Sequence, residues 1–177
     1  MNRKVILYIA MSLDGYIAEE DGSVDFLTDD IEMSEKDDSY EKLMEQIDTV
    51  ILGRKTYDQV VNELSPEKYP YEEKHSYVLT HNVEEGRENL TFTDEKPTAL
   101  IQRLLVEDGK DIWIVGGGQV VAPLVASNLI DEYIITTIPI VLGKGIPLFQ
   151  QIDQSVKLKN VQSYSKNGLV TSVFLKI

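Results

Sequence analysis

Two patterns of hydrophobic residues alternate along this chain as far as Pro139: continuous apolar runs, and apolar residues spaced by three and four. Runs of consecutive apolar residues are typical of strands that are buried on both faces. Spacings of three and four between apolar residues predict amphipathic helices. The predicted strands are Val5–Ala10, Asp48–Leu52, Ser76–Thr80, Leu90–Thr93, Ile112–Val115 and Asp131–Pro139, and the predicted helices cover 38–47, 57–64, 97–107 and 120–129. This alternation predicts an α/β sandwich with a largely parallel sheet.

The C-terminal residues change to a period of two. Lys157–Ser163 and Leu169–Lys176 alternate apolar and polar residues, and Asn167-Gly168 lies between them. Asn-Gly is the strongest two-residue signal for a β-hairpin, because both residues tolerate the positive φ of the turn. We therefore expect the chain to close with an antiparallel hairpin at the sheet edge. With no internal repeat or linker in view, we expect a single domain over residues 1–177.

One long segment has no clear period. Ser23–Ser39 contains many acidic residues, and we interpret it as a loop that carries Phe26 and Leu27 inward. Long loops in compact domains often serve as lids or substrate walls. Whether this loop closes over a site is left open by the sequence.

Composition narrows the classes of function. The 177 residues include no cysteine and two histidines, so thiolate chemistry is excluded and a metal site is not expected. The net charge of −13 argues against a nucleic acid or an anionic membrane as partner. A small phosphorylated ligand remains compatible, since it needs only a few local cations. Without a convincing signal peptide or an apolar stretch that could span a bilayer, we expect a cytoplasmic location.

Two glycine-containing turns, each between a strand and a helix, are the candidate ligand-binding elements. Asp111–Val121 reads DIWIVGGGQVV, in which three glycines separate a buried strand from a helix. Such a turn directs backbone N–H groups and a helix dipole at whatever lies above the sheet, and glycine lets a phosphate approach the backbone. The alternative is a tight turn that binds nothing, and this motif alone leaves both interpretations open.

The second turn carries positive charge. Gly53-Arg54-Lys55-Thr56 follows the strand Asp48–Leu52 and begins a helix. Two cations at a helix N-terminus oppose the helix dipole, at a cost of a few tenths of a kcal/mol or more each. A bound anion would offset that cost, so this turn is more informative than a lone glycine. The alternative is a pair of solvated basic side chains.

Four segments, in this order and spacing, resemble a known superfamily. They are SLDGYIA (Ser12–Ala18), VILGRKTYD (Val50–Asp58), IWIVGGGQVV (Ile112–Val121) and DEYIITTIPIVLGKGIPLF (Asp131–Phe149). They resemble the dihydrofolate reductase superfamily, and more closely the reductase domain of the bifunctional riboflavin-biosynthesis deaminase-reductase. The resemblance implies a three-layer sandwich around a mostly parallel, twisted, eight-stranded sheet with an antiparallel C-terminal hairpin. It also implies NADPH as the hydride donor.

The resemblance assigns residues to the cofactor. Arg54 would meet the 2′-phosphate, since a guanidinium can bind a phosphate through two hydrogen bonds. Thr80 and His81 would lie beside the adenine and the 2′-phosphate, while backbone atoms of Ala10 and the side chain of Ile17 would face the nicotinamide. The adenosine and pyrophosphate end of the cofactor is implied to be held by Gly53, Arg54, Lys55 and Thr56. Its pyrophosphate and nicotinamide-ribose side is implied to be covered by Gly116, Gly117, Gly118, Gln119 and Val120.

The residues that would bind the substrate match the family less closely than those that would bind the cofactor. Asp14 matches the family's aspartate near the substrate, and Thr136 and Lys144 are candidates for the far wall. In dihydrofolate reductases a helix carboxylate supports protonation of the pterin, which makes Asp38 the second candidate catalytic acid. However, the tryptophan–proline signature before that helix is missing here, and Val24–Leu27 stands in its place.

Three hypotheses follow. The first is an NADPH-dependent reductase resembling 5-amino-6-(5-phosphoribosylamino)uracil reductase, which transfers hydride to a small heterocyclic or ribosyl-phosphate substrate. The second is dihydrofolate reductase activity, and the third is a non-catalytic nucleotide-binding protein of the same fold. Since the chain has no Cys/His zinc site, a deaminase would have to be another protein. We expect a homodimer, the commonest oligomeric state.

Overall fold

A central β-sheet of eight strands organises the computed structural model, which describes residues 3–28 and 34–177. In chain order its strands are β1 (Val5–Ser12), β3 (Ile47–Gly53), β4 (His75–Leu79), β5 (Leu90–Thr93), β6 (Asp111–Gly116), β7 (Glu132–Ile138), β9 (Leu158–Lys166) and β10 (Leu169–Lys176). Across the sheet the order is β5-β4-β3-β6-β1-β7-β10-β9. The first six strands of this order are parallel, and β10 is antiparallel to both of its neighbours. The predicted fold class and C-terminal hairpin are therefore confirmed.

Helices cover both faces of the sheet. They are α1 (Ser39–Gln46), α2 (Arg54–Gln59, continued by a π turn over Val60–Leu64), α3 (Pro97–Leu104) and α4 (Gly118–Ala126). Residues of α3 and α4 pack in one apolar core, and residues of α1 and the π turn pack in the other. The three layers predicted from the resemblance are thus present. Both α3 and α4 end three residues earlier than predicted, α4 because Asn128 takes a positive φ of 52° that ends a helix.

A second, two-stranded sheet was missed by the sequence patterns. It joins β2 (Tyr16–Ala18) to β8 (Ile146–Pro147), inside the segment that we interpreted as a glycine-rich loop. A two-residue strand is too short for a period of two to be visible. Gly145 makes the pairing possible, because a Cβ there would overlap the carbonyl oxygen of Ala18.

The segment before α1 is only partly described. Within the predicted loop 23–39, residues 29–33 lie outside the described residues, and so does the lid hypothesis that depends on them. Phe26 is buried as expected, on a 3-10 turn over Asp25–Leu27. Asn167 at the hairpin turn exchanges two hydrogen bonds with the backbone of Glu35, at 2.7 and 2.9 Å. The hairpin turn therefore holds the segment that leads into α1.

Arg3 ties together the amino ends of three neighbouring strands. Its guanidinium donates to Asp48 Oδ1 at 2.5 Å and to Thr49 Oγ1 at 2.6 Å, both on β3. Its Nε–H donates to the carbonyl oxygen of Lys110, next to β6, at 2.6 Å. The Arg3 side chain is only 4% exposed, against 40% for that of Asp48. These contacts join the strands at the end of the sheet that lies opposite the glycine turns.

His75 predicts a pH-dependent stability. Its imidazole contacts Thr91 Oγ1 at 3.0 Å and the ring of Tyr77 at 4.5 Å, and burial lowers the pKa of His75. The unfolded chain therefore binds this proton more readily, and the free energy of unfolding should fall as the pH drops below about 6.5. In His75→Gln, urea unfolding should show a shallower loss of stability between about pH 7 and pH 5. An unchanged slope would contradict this assignment.

Candidate functional site

The two glycine turns meet at the carboxyl ends of β3 and β6. These strands are neighbours, and Leu52 pairs with Gly116. A Cβ on Gly53 would lie 3.8 Å from the Gly117 nitrogen and 3.9 Å from the Gly116 oxygen. It would also approach Val120 Cγ2 to 3.3 Å. The turns that precede α2 and α4 therefore border one common space, and side chains are kept out of it by glycine.

Thr56 and Gly118 complete the walls of this space. The hydroxyl oxygen of Thr56 lies 3.5 Å from the place a Cβ of Gly117 would take. A Cβ on Gly118 would come within 2.9 Å of the Pro147 carbonyl oxygen, so only glycine fits there beside the strand β8. Val120 is buried and Gln119 is exposed. The structure thus places Gly53, Thr56, the three glycines and Val120 close together, and their roles toward a cofactor stay predictions.

Arg54 is already engaged by two carboxylates. Its Nε lies 2.8 and 3.0 Å from the two carboxylate oxygens of Asp58, one helical turn further on. Its Nη1 donates to Glu84 Oε1 at 2.6 Å, and its guanidinium carbon lies 5.4 Å from the centre of the Phe92 ring. The hydrogen bonds to Asp58 are the main cause of a raised pKa of Arg54. The next residue, Lys55, is exposed.

Thr80 and His81 follow β4 on the other side of Gly53. β3 and β4 are neighbours, and Gly53 pairs with Leu79. The Thr80 hydroxyl accepts a hydrogen bond from the Asn82 backbone N–H at 3.1 Å, and His81 is exposed. The turn at Thr80 therefore lies next to the Arg54 turn. Whether either residue contacts a ligand stays a prediction.

A row of polar groups crosses the sheet on the face that α1 covers. Ala10 pairs with Thr136, and Thr136 pairs with Thr171 on β10. The two threonine hydroxyls are 2.9 Å apart. Two residues before Ala10, on the same face, the Tyr8 hydroxyl lies 3.0 Å from Ser39 Oγ. Burial raises the pKa of Tyr8, so this phenol stays protonated at neutral pH. Ile17 is partly buried against the core under α3 and α4, and its contact with a nicotinamide stays a prediction.

Asp14 holds a neighbouring loop. Its carboxylate accepts hydrogen bonds from Ser12 Oγ at 2.6 Å and from the backbone N–H groups of Leu142 and Gly143, at 3.1 and 2.7 Å. The hydrogen bond from Ser12 is the main cause of a lowered pKa of Asp14. Lys144, in the same loop, pairs with Glu20 at 2.6 Å and its side chain is 77% exposed. The predicted substrate and catalytic roles of these residues stay predictions.

Asp38, the second candidate acid, precedes the first turn of α1. Its carboxylate pairs with Lys42 at 2.9 Å, and the hydrogen bond from Lys42 lowers the pKa of Asp38. Asp37 accepts a hydrogen bond from the Ser39 backbone N–H at 2.9 Å. Both carboxylates thus have partners at the start of α1, where Ser39 turns toward Tyr8.

Five polar residues around this site were not predicted from the sequence. Tyr8 was assigned to an apolar strand, although its hydroxyl is the one polar tip in VILYIA. Ser39 and Thr171 are ordinary residues of a helix start and a hairpin, and no sequence signal distinguishes them. Asp58 could have been noticed as an acid four residues after Arg54, a spacing that favours ion pairs on a helix. Glu84 comes from a loop 30 residues away.

The described residues form neither a metal-binding cluster nor a membrane-spanning helix. Residues 3–28 and 34–177 contain no group of three or more His, Cys, Asp or Glu side chains that could hold a metal ion. In the same part of the chain, no helix is long and apolar enough to cross a membrane.

Comparison with known proteins now defines the class. The fold is that of dihydrofolate reductase: the enzyme from Enterococcus faecalis, solved in complex with NADP(H) and RAB-propyl, superposes with a TM-score of 0.65 at 17% identity, and the match covers 99% of each chain. This chain belongs to the RibD C-terminal domain family, whose model matches residues 3–170.

Individual relatives support the same assignment. A putative riboflavin biosynthesis protein from Shewanella sp. PV-4 matches 100% of this chain and 99% of its own, with a TM-score of 0.85 and 30% identity. The uncharacterized protein YwjB of Bacillus subtilis (strain 168) is 47% identical over 160 residues, which are 90% of each chain. The superfamily and branch predicted from the four motifs are therefore confirmed.

Proposed function

We propose that this protein is an NADPH-dependent reductase whose substrate is a small heterocycle that carries a ribosyl phosphate, as in 5-amino-6-(5-phosphoribosylamino)uracil reduction. The meeting of the two glycine turns carries the proposal. A dinucleotide needs backbone N–H groups, and no Cβ atoms, where its pyrophosphate passes. The positions around Gly53 and Gly117 meet the second part of that requirement, because their missing Cβ atoms would lie in the shared space.

The neighbouring residues fit the remaining parts of such a cofactor. Thr56 offers a hydroxyl beside Gly117, and Arg54 offers a guanidinium at the turn next to Thr80. The likeness to a dihydrofolate reductase solved with NADP(H) supports a nicotinamide cofactor. When bound, that cofactor supplies the hydride, and the protein's own task is orientation and exclusion of water.

The polar row beside Ala10 is the proposed substrate wall. The paired hydroxyls of Thr136 and Thr171 and the hydroxyl of Tyr8 can both donate and accept hydrogen bonds. Such groups suit a heterocycle with amide-like edges and a ribose. Asp14, ionised and bonded to three donors, holds the loop at Leu142 and Gly143 in place beside the site.

A substrate screen tests the proposal. The purified chain is mixed with NADPH and one candidate at a time, and loss of reduced-nicotinamide absorbance is followed. The candidates are aminopyrimidine ribosyl phosphates, their dephosphorylated forms and dihydrofolate. We expect turnover with a phosphorylated aminopyrimidine. Turnover with dihydrofolate alone would replace the proposal by folate reduction, and binding without any turnover would favour a non-catalytic nucleotide-binding protein.

Replacing Arg54 tests the proposed cofactor site. Arg54→Ala should weaken NADPH binding by about 1–2 kcal/mol, roughly tenfold, since a charge-assisted contact to the 2′-phosphate is lost. The affinity for NADH, which lacks that phosphate, should change much less. The dissociation constants can be measured by calorimetry for both dinucleotides. An equal loss for both would show that Arg54 does not distinguish the 2′-phosphate.

A further inference from the structure

The charge around Arg54 is unusual for a phosphate-binding arginine. One guanidinium is held between the carboxylates of Asp58 and Glu84, at 2.6 to 3.0 Å. The three charges sum to −1. A 2′-phosphate that approaches this cluster brings close to two further negative charges, so both carboxylates repel it from Arg54.

The two carboxylates differ in how they are held. Asp58 lies four residues after Arg54 on α2, so the helix itself fixes its position opposite Nε. Glu84 reaches Nη1 from the exposed segment between β4 and β5, and its side chain is 48% exposed. Nη1 belongs to the outer end of the fork that phosphates bind through two hydrogen bonds. Glu84 is therefore the carboxylate that competes directly with a phosphate.

The place of Glu84 also suits a second function. Glu84 follows the Thr80 turn by four residues, and that turn borders the carboxyl end of β3. In dinucleotide-binding proteins, a carboxylate at the adenosine ribose accepts hydrogen bonds from its hydroxyl groups, which NADH retains and NADPH has partly phosphorylated. A carboxylate and an arginine at one ribose thus favour opposite cofactors.

From these observations we infer that Glu84 sets the cofactor preference of this protein by occupying Arg54. The carboxylate reduces the advantage of NADPH over NADH, and neutralising it releases Arg54 for the 2′-phosphate. This inference rests on the proposed function, because it concerns the same dinucleotide site.

Glu84→Gln keeps the size of the side chain and removes its charge. We expect it to bind NADPH about tenfold more tightly than the wild type does, with the affinity for NADH unchanged or lower. Glu85→Gln is the matched control, since the neighbouring carboxylate is exposed and makes the same change in net charge. It should leave the ratio of the two affinities as in the wild type.

A double variant distinguishes an effect of Glu84 that acts through Arg54 from a general effect of net charge. In Arg54→Ala, the further change Glu84→Gln should no longer improve NADPH binding, because the group it releases is absent. Equal NADPH affinity in the wild type and Glu84→Gln, or an equal gain in Glu85→Gln, would overturn the inference while leaving the proposed function intact. Failure of all variants to bind either dinucleotide would overturn both.

Discussion

A valine in place of Gly117 is expected to prevent dinucleotide binding while the fold stays intact. The backbone at Gly117 has a φ of −81°, on the negative side that residues other than glycine adopt. Its Cβ would meet Thr56 Oγ1 at 3.5 Å, an ordinary contact distance. The added methyl groups would occupy the space between the two glycine turns. We expect the dissociation constant for NADPH to rise at least about 100-fold, which corresponds to about 2.7 kcal/mol.

The same substitution at the other end of α4 provides the control. Ala126 is the last residue of that helix and is exposed. It lies about 12 Å from the start of the helix, given the rise of about 1.5 Å per residue. Ala126→Val should bind NADPH as the wild type does, and thermal unfolding should show both variants to be folded. If Gly117→Val bound NADPH within about threefold of the wild type, the shared space would not be the pyrophosphate site.

Removal of the Arg3 side chain should cause the largest loss of stability. Arg3→Ala would leave Asp48 without its buried partner and the Lys110 carbonyl without its donor. Breaking a buried ion pair typically costs about 3–5 kcal/mol. Because the Asp48 side chain is 40% exposed and can be partly solvated, we expect about 3 kcal/mol. Urea unfolding followed by circular dichroism measures this loss.

Lys4→Ala tests whether the loss is specific to Arg3. Lys4 is the next residue, its side chain is 56% exposed, and it lies 3.9 Å from Glu132. A surface pair of this kind contributes about 1 kcal/mol or less. Similar losses in the two variants would mean that the Arg3 contacts do not hold the strand ends together.

Most of the fold could be predicted because its signals are local. Continuous apolar runs such as Val5–Ala10 identify central strands, and this strand does lie between β6 and β7. Asn167-Gly168 identifies the hairpin, and both residues have positive φ, 52° and 75°. The order of the four motifs then selects the superfamily. Each of these signals is contained in a few consecutive residues.

What the sequence could not predict depends on contacts between distant residues. Asp14 meets Gly143 across 129 positions, and Arg54 meets Glu84 across 30. Neither partner has a pattern of its own, because a carboxylate on a loop is equally compatible with solvent. The pairing of β2 with β8 depends likewise on Gly145 lying against Ala18. Such contacts arise only once the sheet has brought the loops together.

The arrangement of the proposed substrate wall could not be predicted from the sequence for the same reason. Tyr8 and Thr136 occupy strands that were identified correctly, yet the patterns do not tell which strand positions near the carboxyl ends are covered by a helix and which stay open. The register of β1, β7 and β10 decides that Ala10, Thr136 and Thr171 form one row. The proposed substrate wall therefore depends on the assembled sheet.

The most direct test is a titration of the purified protein with NADPH and with NADH. Trp113 is the chain's single tryptophan, so quenching of its fluorescence by reduced nicotinamide is followed as the signal of binding. We predict saturable binding of NADPH at one molecule per chain, tighter than that of NADH, and loss of NADPH binding in Gly117→Val. No binding of either dinucleotide would contradict the account and leave the fold without the proposed chemistry.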